Sequence, residues 1–390
     1  MSSPAGPTVP AEADLAAEAD GAGASRAQRR RSATGAATRA AVIPLVSVVL
    51  GLALGAVLIA VQGHSVTSAY GALVLGGAGD ADALLRTLQK ATPLVFGGLA
   101  VAFAFKAGLF NIGGQGQLLV GAAFAAGVGF GLEGVPLVVH LPLALLVGAA
   151  AGAAWGAIAG VLKATSGAHE VIVTIMLNFV AGNLTDWLAA NPWQDRSGSN
   201  IIARTPLVEP SAEIPTWGWL PAGFVLAAMA AFACWFILER TTYGFEVRSV
   251  GANRHAARYA GISVGWIMAS TMAVAGLLAG LGGAIESLGV DGRFEAGVNV
   301  GLGFEGITIA LLARTNPIAV IPAGLLVGLM EAGAAKMQFE SGVAPEIIDV
   351  IQALILLFVA APLIVRWLLR LRDRPDAPDR RLTLGAGWGR

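Results

Sequence analysis

The residues best suited to bind a polar solute lie where a long apolar region of the chain is interrupted. Residues 106–117 read KAGLFNIGGQGQ, with three amide side chains and four glycines. Non-helical backbone within an apolar region persists only where protein buries it or a wet cavity borders it, and broken helices often line solute paths. Amides donate and accept hydrogen bonds, so they suit sugar hydroxyls and base edges. We predict a solute path containing Asn111, Gln115, Gln117, Asn178 and Glu305. The alternative is that these side chains close hydrogen bonds between helices.

A second polar region, the charged segment 239–263, separates two long apolar stretches. It reads ERTTYGFEVRSVGANRHAARYAGIS and carries four arginines. One arginine at the centre of a bilayer costs roughly 2.5–3.5 kcal/mol on insertion scales, so the segment must lie in water. Asn253 is a good N-cap, residues 254–260 form a predicted short helix, and Gly261 is a C′ stop. From these residues alone, a docking helix and a solvated loop are equally open interpretations.

Several kinds of chemistry are excluded by what the sequence lacks. There is no GxxxxGK[ST] loop for ATP and no HExxH motif. The four histidines are scattered and the single cysteine, Cys234, lies in an apolar run. We therefore expect no metal centre, no cofactor and no catalytic activity in this chain, and no nucleic acid partner.

Composition identifies the class of protein. The chain is 56% hydrophobic and 13% charged, with a mean hydropathy of +0.71, whereas a soluble protein needs about 25% charged residues. The apolar blocks are long enough to cross a bilayer as helices. We predict an all-α polytopic membrane protein with about ten spans (eight to ten), at 41–62, 84–105, 114–131, 137–162, 170–189, 219–238, 263–288, 302–313, 317–334 and 347–367. The membrane domain is thus 41–367, between a disordered tail at 1–40 and a second tail at 368–390.

The orientation follows from the arginines and lysines. With the N-terminus in the cytoplasm, 19 of the 25 fall on the inside, which matches the positive-inside rule. Both termini and the charged segment are then cytoplasmic, and 190–218 is the long extracytoplasmic loop. Glycines every fourth residue from Gly148 to Gly160, and the pair Gly324 and Gly328, predict closely packed helices.

Four motifs in order carry a family resemblance. They are FKAGLFNIGGQGQLLVGA at 105–122, TIMLN at 174–178, TTYGFEVRSVGANRHAARYAGI at 241–262 and GLGFEGITIALLARTNP at 301–317. Together they resemble permease subunits of bacterial ABC importers in the branched-chain amino acid/ribose superfamily, in particular the nucleoside and simple-sugar branch. The resemblance covers roughly residues 45–365. One difference is Gln115, where that branch more often has Glu.

The resemblance implies a membrane path that does not itself hydrolyse ATP, in the bacterial plasma (inner) membrane. Two permease chains, identical or related, would form the path. A cytoplasmic ABC ATPase on separate chains would hydrolyse ATP, and an extracytoplasmic solute-binding lipoprotein would deliver the solute. The charged segment corresponds to the loop that couples to the ATPase. The implied coupling residues are Tyr243, Gly244, Arg248, Gly251, Asn253, Arg254, Arg258 and Gly261.

The sequence leaves two questions with alternatives: which solute is carried, and which energy source drives its transport. No arginine or lysine lies in the middle of a clear span, where it could bind a carboxylate, so a neutral polar solute is favoured. We predict a nucleoside or simple sugar, with a branched-chain amino acid as the alternative. A stand-alone transporter coupled to an ion gradient is the other reading, which would use the intramembrane carboxylates of Glu286, Glu305 and Glu331.

Overall fold

The computed structural model describes residues 44–197, 202–297 and 301–361, and these are mostly helical. The chain divides into a main unit, 50–356, and a smaller unit formed by its two ends, of which 44–49 and 357–361 are described. The helices are α1 Pro44–Val61, α2 Val66–Ala78, α3 Ala81–Lys106, α4 Gly114–Gly131, α5 Leu137–Ser166, α6 Glu170–Ala190, α7 Ala222–Arg240, α8 Thr242–Ala252, α9 Arg254–Tyr259, α10 Val264–Gly289, α11 Leu302–Leu312, α12 Pro317–Ser341 and α13 Glu346–Ala360. Two short strands, β1 Thr216–Trp217 and β2 Leu220–Pro221, form an antiparallel hairpin.

Helices α3 and α10 form the centre of the main unit. α10 packs against α3, α4 and α5, and α3 also packs against α11 and α12. The glycine repeat of α5 meets α10 directly, because a Cβ at Gly152 would overlap the carbonyl oxygen of Gly276. Gly328 likewise lies against Ala91 of α3. The predicted close packing is confirmed: small residues let these backbones touch where side chains would hold them apart.

Seven of the described helices are long and apolar enough to cross a membrane: α1, α3, α5, α6, α7, α10 and α12. The other three predicted spans correspond to α4, α11 and α13, which do not meet these criteria within the described residues. α11 has 11 residues and is therefore only about 16 Å long, too short to cross a bilayer alone. The chain is a multi-pass membrane protein, while ten spans and cytoplasmic termini stay predictions.

Two helices were not predicted. α2 is a short apolar helix that packs against α12, in what the sequence indicated was a loop. α8 occupies the first half of the charged segment, where Thr241 caps it by accepting from the backbone N–H of Gly244 at 3.1 Å. The predicted tails, 1–40 and 368–390, lie outside the described residues, as does part of the loop at 190–218.

The predicted interruption between α3 and α4 is confirmed. α3 ends at Lys106 and α4 begins at Gly114, so residues 107–113, the α3–α4 break, are not helical. Gly108 has a φ of +68°, a left-handed conformation that strains other residues. The break leaves backbone groups on both sides without helical partners, and side chains from elsewhere in the chain must supply them.

Candidate functional site

The first part of the site is a pair of amides at the α3–α4 break. Asn111 Nδ2 donates to Gln117 Oε1 at 3.0 Å, and Gln117 Nε2 donates back to Asn111 Oδ1 at 3.2 Å. Asn111 Oδ1 also accepts from the backbone N–H of Gly113 at 3.1 Å. Both side chains are buried. The pair therefore ties the break to the first turn of α4.

Asn178, on α6, bonds both to the break and to the start of α4. Its Oδ1 accepts from the backbone N–H of Gly116 at 2.8 Å, and its Nδ2 donates to the carbonyl oxygen of Ile112 at 3.0 Å. Gly116 is in the first turn of α4, where backbone N–H groups have no partner within the helix. Asn178 thus caps α4 and binds the chain just before it.

Gln115 binds the start of the short helix α11. Its Oε1 accepts from the backbone N–H groups of Gly303 at 2.8 Å and Gly301 at 3.2 Å. The contact is close because Gly303 has no side chain: a Cβ there would overlap the backbone of Gln115. An oxygen acceptor at a helix N-terminus also interacts favourably with the helix dipole. Either Gln or Glu would supply that oxygen.

These four residues, Asn111, Gln115, Gln117 and Asn178, form what we call the amide cluster. The structure brings them together, as predicted, but each of them hydrogen-bonds within the chain. Their position on a solute path stays a prediction. The interhelical alternative describes the hydrogen bonds that are observed.

Glu305, the fifth predicted path residue, lies in a different group. It is half-buried in α11, and its carboxyl group interacts with that of Glu331 on α12. Nearby, Lys90 Nζ of α3 lies 3.6 Å from Glu286 Oε1 of α10, whose side chain is 0% exposed. We call Lys90, Glu286, Glu305 and Glu331 the carboxylate cluster. Sequence analysis missed this pairing, although a lysine inside a long apolar helix is itself a signal.

The carboxylate cluster contains oxygens without hydrogen bonds. Within the described residues, neither oxygen of Glu286 has a hydrogen bond, and Lys90 is its ionic partner. A buried carboxylate is costly unless it is paired and hydrogen-bonded. The cluster therefore places ionisable groups among apolar helices, where the amide cluster places only neutral side chains.

The charged segment contains the two short helices α8 and α9. Asn253 caps α9 by accepting from the backbone N–H groups of His255 at 2.9 Å and Ala256 at 3.0 Å. Gly261 follows the helix with a φ of +84°. The predicted helix, its cap and its stop are confirmed to within one residue.

Most of the predicted coupling residues contact their own chain. Tyr243 Oη lies 2.9 Å from Ser270 Oγ of α10, and Arg248 Nη1 lies 3.7 Å from Glu239 Oε2. Arg254 Nη2 donates to the carbonyl oxygen of Gly108 at 3.1 Å. The two glycines allow close approach: a Cβ at Gly244 would overlap the carbonyl oxygen of Ile237, and one at Gly251 that of Lys106. The contacts join α8 and α9 to the ends of α3 and α7.

On α8 and α9, the surface that a partner could reach includes fewer residues than the predicted coupling set, and it is partly aromatic. Arg258 is the predicted coupling side chain that is exposed on α9. Tyr259 beside it is 94% exposed, and Phe245 on α8 is 61% exposed. Sequence analysis missed both aromatics. Aromatic residues within an otherwise polar, charged segment are the sequence signal that would have identified them.

The loop after α6 holds a compact ionic group. Asp195 accepts from Ser197 through the backbone N–H at 2.9 Å and the hydroxyl at 2.6 Å, and Arg204 Nε and Arg293 Nη1 lie 3.6 and 4.0 Å from its Oδ2. The hydrogen bonds from Ser197 and then the two arginines hold the pKa of Asp195 below its usual value. No group of three or more metal-ligating residues occurs in the described ranges.

Comparisons with known proteins identify the family. The family described as "Branched-chain amino acid transport system / permease component" matches residues 83–360. The guanosine ABC transporter permease protein NupP of Bacillus subtilis (strain 168) is 43% identical over 84% of this chain and 95% of its own. The nucleoside ABC transporter permease protein NupB of Lactococcus lactis subsp. cremoris (strain MG1363) is 34% identical over 85% and 94%.

A third relative is a permease protein whose name gives glucose. The glucose ABC transporter permease protein TsgB13 of Haloferax volcanii is 36% identical over 81% of this chain and 86% of its own. No solved structure gives a significant match. Because the family match and these relatives each span most of the chain, it belongs to the permease component family of the branched-chain amino acid transport systems.

Proposed function

We propose that this chain is the membrane permease subunit of an ABC importer that takes up a nucleoside. The observation that carries the proposal is the 43% identity to a guanosine permease protein, which extends over 95% of that relative. The amide cluster no longer argues for a nucleoside, because its hydrogen bonds lie within the chain. The relatives carry the argument about the solute.

The rest of the importer is part of the same proposal. The sequence has no P-loop, which favours ATP hydrolysis on a separate cytoplasmic ATPase. We also propose a second permease chain, an extracytoplasmic solute-binding lipoprotein, and a location in the bacterial plasma membrane with both termini inside. The exposed residues of α8 and α9 would face the ATPase.

A simple sugar is the second candidate solute, supported by the 36% identity to a glucose permease protein. A branched-chain amino acid is less favoured. A cation would stabilise its carboxylate, and Lys90, a cation within an apolar helix, is already paired with Glu286.

The test is uptake by the reconstituted importer. The chain is purified with its genetically adjacent partners, placed in liposomes, and supplied with the binding protein and Mg-ATP on the cytoplasmic side. We expect uptake of radiolabelled guanosine that excess adenosine or uridine can reduce and that glucose and leucine do not. The matched control is the same complex with the P-loop lysine of its ATPase changed to alanine.

Other outcomes would replace the proposal. Glucose uptake without guanosine uptake would support the sugar, and leucine uptake would support the amino acid. Uptake by this chain alone, driven by an ion gradient without ATPase, would favour the stand-alone transporter and refute the ABC role.

A further inference from the structure

Arg254 lies at a junction between the charged segment and the α3–α4 break. Its Nη2 donates to the carbonyl oxygen of Gly108 at 3.1 Å, across 146 residues of sequence. Gly108 lies within the break, after the last residue of α3, so its carbonyl oxygen is outside the hydrogen-bond pattern of a helix. A guanidinium donating to a carbonyl oxygen is a charge-assisted hydrogen bond, stronger than one between neutral groups.

A second contact at the junction joins backbone to backbone. A Cβ at Gly251, near the end of α8, would overlap the carbonyl oxygen of Lys106, and one at Gly108 would lie 3.3 Å from the Cα of Gly251. No side chain separates α8 from the break at this point. A displacement of α8 and α9 therefore acts on 106–108 without a flexible side chain to absorb it.

The break is in turn bonded to the start of α11. Asn178 holds the carbonyl oxygen of Ile112, and Gln115, in the first turn of α4, holds the N–H groups of Gly301 and Gly303. Glu305 is in the first turn of α11. A continuous series of direct contacts thus runs from α9 through the break to the helix that carries part of the carboxylate cluster.

We propose that Arg254 is a positioning residue that makes the α3–α4 break move with α9 rather than a residue that docks the ATPase. The proposal rests on the proposed ABC function, since the ATPase supplies the displacement. It separates the roles of two predicted coupling arginines: Arg258 is exposed and would face a partner, while Arg254 is half-buried and bound to Gly108. Coupling between two sites requires an element that changes state, so the experiment measures a change in the break directly.

The experiment uses the complete importer in lipid nanodiscs and compares wild type with Arg254→Gln, Arg254→Lys and the neighbouring control His255→Ala. Three quantities are measured: co-purification of the ATPase, guanosine uptake after transfer to liposomes, and hydrogen–deuterium exchange with and without Mg-ATP. His255 is exposed and adjacent to Arg254 on α9.

In the wild type we expect Mg-ATP to change exchange in both 242–259 and 107–117. Arg254→Gln should retain the ATPase and the change in 242–259, lose the change in 107–117, and reduce uptake by about tenfold or more. Arg254→Lys keeps a cationic donor and should recover part of both losses. His255→Ala should behave as the wild type.

Two results would overturn the proposal. Loss of the ATPase from the Arg254→Gln complex would make Arg254 a docking residue. An unchanged response of 107–117 to Mg-ATP in that variant would show that the contact does not transmit movement. Failure of the proposed function is distinct, because the wild-type importer itself would then take up no guanosine.

Discussion

The amide cluster and the carboxylate cluster are both polar groups among apolar helices, yet they use their hydrogen-bonding groups differently. In the amide cluster, Asn178 and Gln115 bind backbone at distances of 2.8–3.2 Å. In the carboxylate cluster, both oxygens of Glu286 are without a hydrogen bond in the part of the chain that the structure describes. The first arrangement stabilises a helix break. The second retains an electrostatic cost, and buried ionisable groups with such a cost are typical of functional sites.

The comparison also separates two roles that sequence analysis had combined. All five predicted path residues were chosen because they are polar and lie among apolar residues. The structure divides them into three amides that bind backbone, Gln117, which pairs with Asn111, and Glu305, which lies against another carboxyl group. Substitutions in the amide cluster should therefore reduce stability, and those in the carboxylate cluster should change stability according to which charge remains.

The largest effect is expected from Lys90→Gln. It would leave Glu286, 0% exposed, without its counter-charge. Fully buried pairs lose about 3–5 kcal/mol in this way, and the loss here should be somewhat smaller because Lys90 is 39% exposed. Glu286→Gln should cost less, because the charge that remains, Lys90, is only partly buried. The double variant should recover most of the loss. Thermal unfolding in detergent, followed by tryptophan fluorescence, measures all three. A loss in the double variant equal to the sum of the two single losses would contradict the assigned pairing.

Asn178→Leu should have the next largest effect. It would leave the N–H of Gly116 and the carbonyl of Ile112 without partners, at about 1–3 kcal/mol for each buried group. The matched control is Asn183→Leu on the same helix, because Asn183 is exposed and bonds its own helix at the carbonyl of Phe179. We expect a lower unfolding temperature for the first variant only. Similar unfolding temperatures for both would remove the structural role from the amide cluster.

Gln115 offers a smaller and more specific change. Gln115→Glu keeps an acceptor oxygen for Gly301 and Gly303 and adds a negative charge at a helix N-terminus, so stability and guanosine uptake should be retained. Gln115→Leu removes the acceptor and should lower both, by about 1–3 kcal/mol in unfolding free energy. If the Glu and Leu variants fail alike, the amide nitrogen rather than the oxygen is what the site requires.

The smallest effect concerns Asp195, a carboxylate whose hydrogen bonds are complete. Its pKa is lowered in the folded state, so its stabilising effect is present above the unfolded pKa and is lost as pH falls through the folded pKa. Asp195→Asn should slightly lower the unfolding temperature at pH 7, and the difference from wild type should shrink below about pH 4. A difference that persists in acid would show that packing, rather than charge, is responsible.

The sequence by itself determined the features that depend on neighbouring residues. Long apolar runs identified a helical membrane protein, glycines at 107–117 located the break, and Asn253 with Gly261 defined the ends of α9. The cap and the stop of α9 are local, because each involves backbone within about one turn of the residue that makes it. The four motifs likewise sufficed to identify the family.

Only the tertiary structure decided which group each polar side chain binds. Gly303 lies 188 residues from Gln115, Gly116 lies 62 from Asn178, and Gly108 lies 146 from Arg254. Such partners depend on which helices pack together and on how closely their backbones approach, and glycine contacts such as that of Gly251 with Lys106 set that approach. The sequence supplied the donors and acceptors. The packing of α3, α4, α10 and α11 decided which of them bind another part of the chain and which have no hydrogen bond among the described residues.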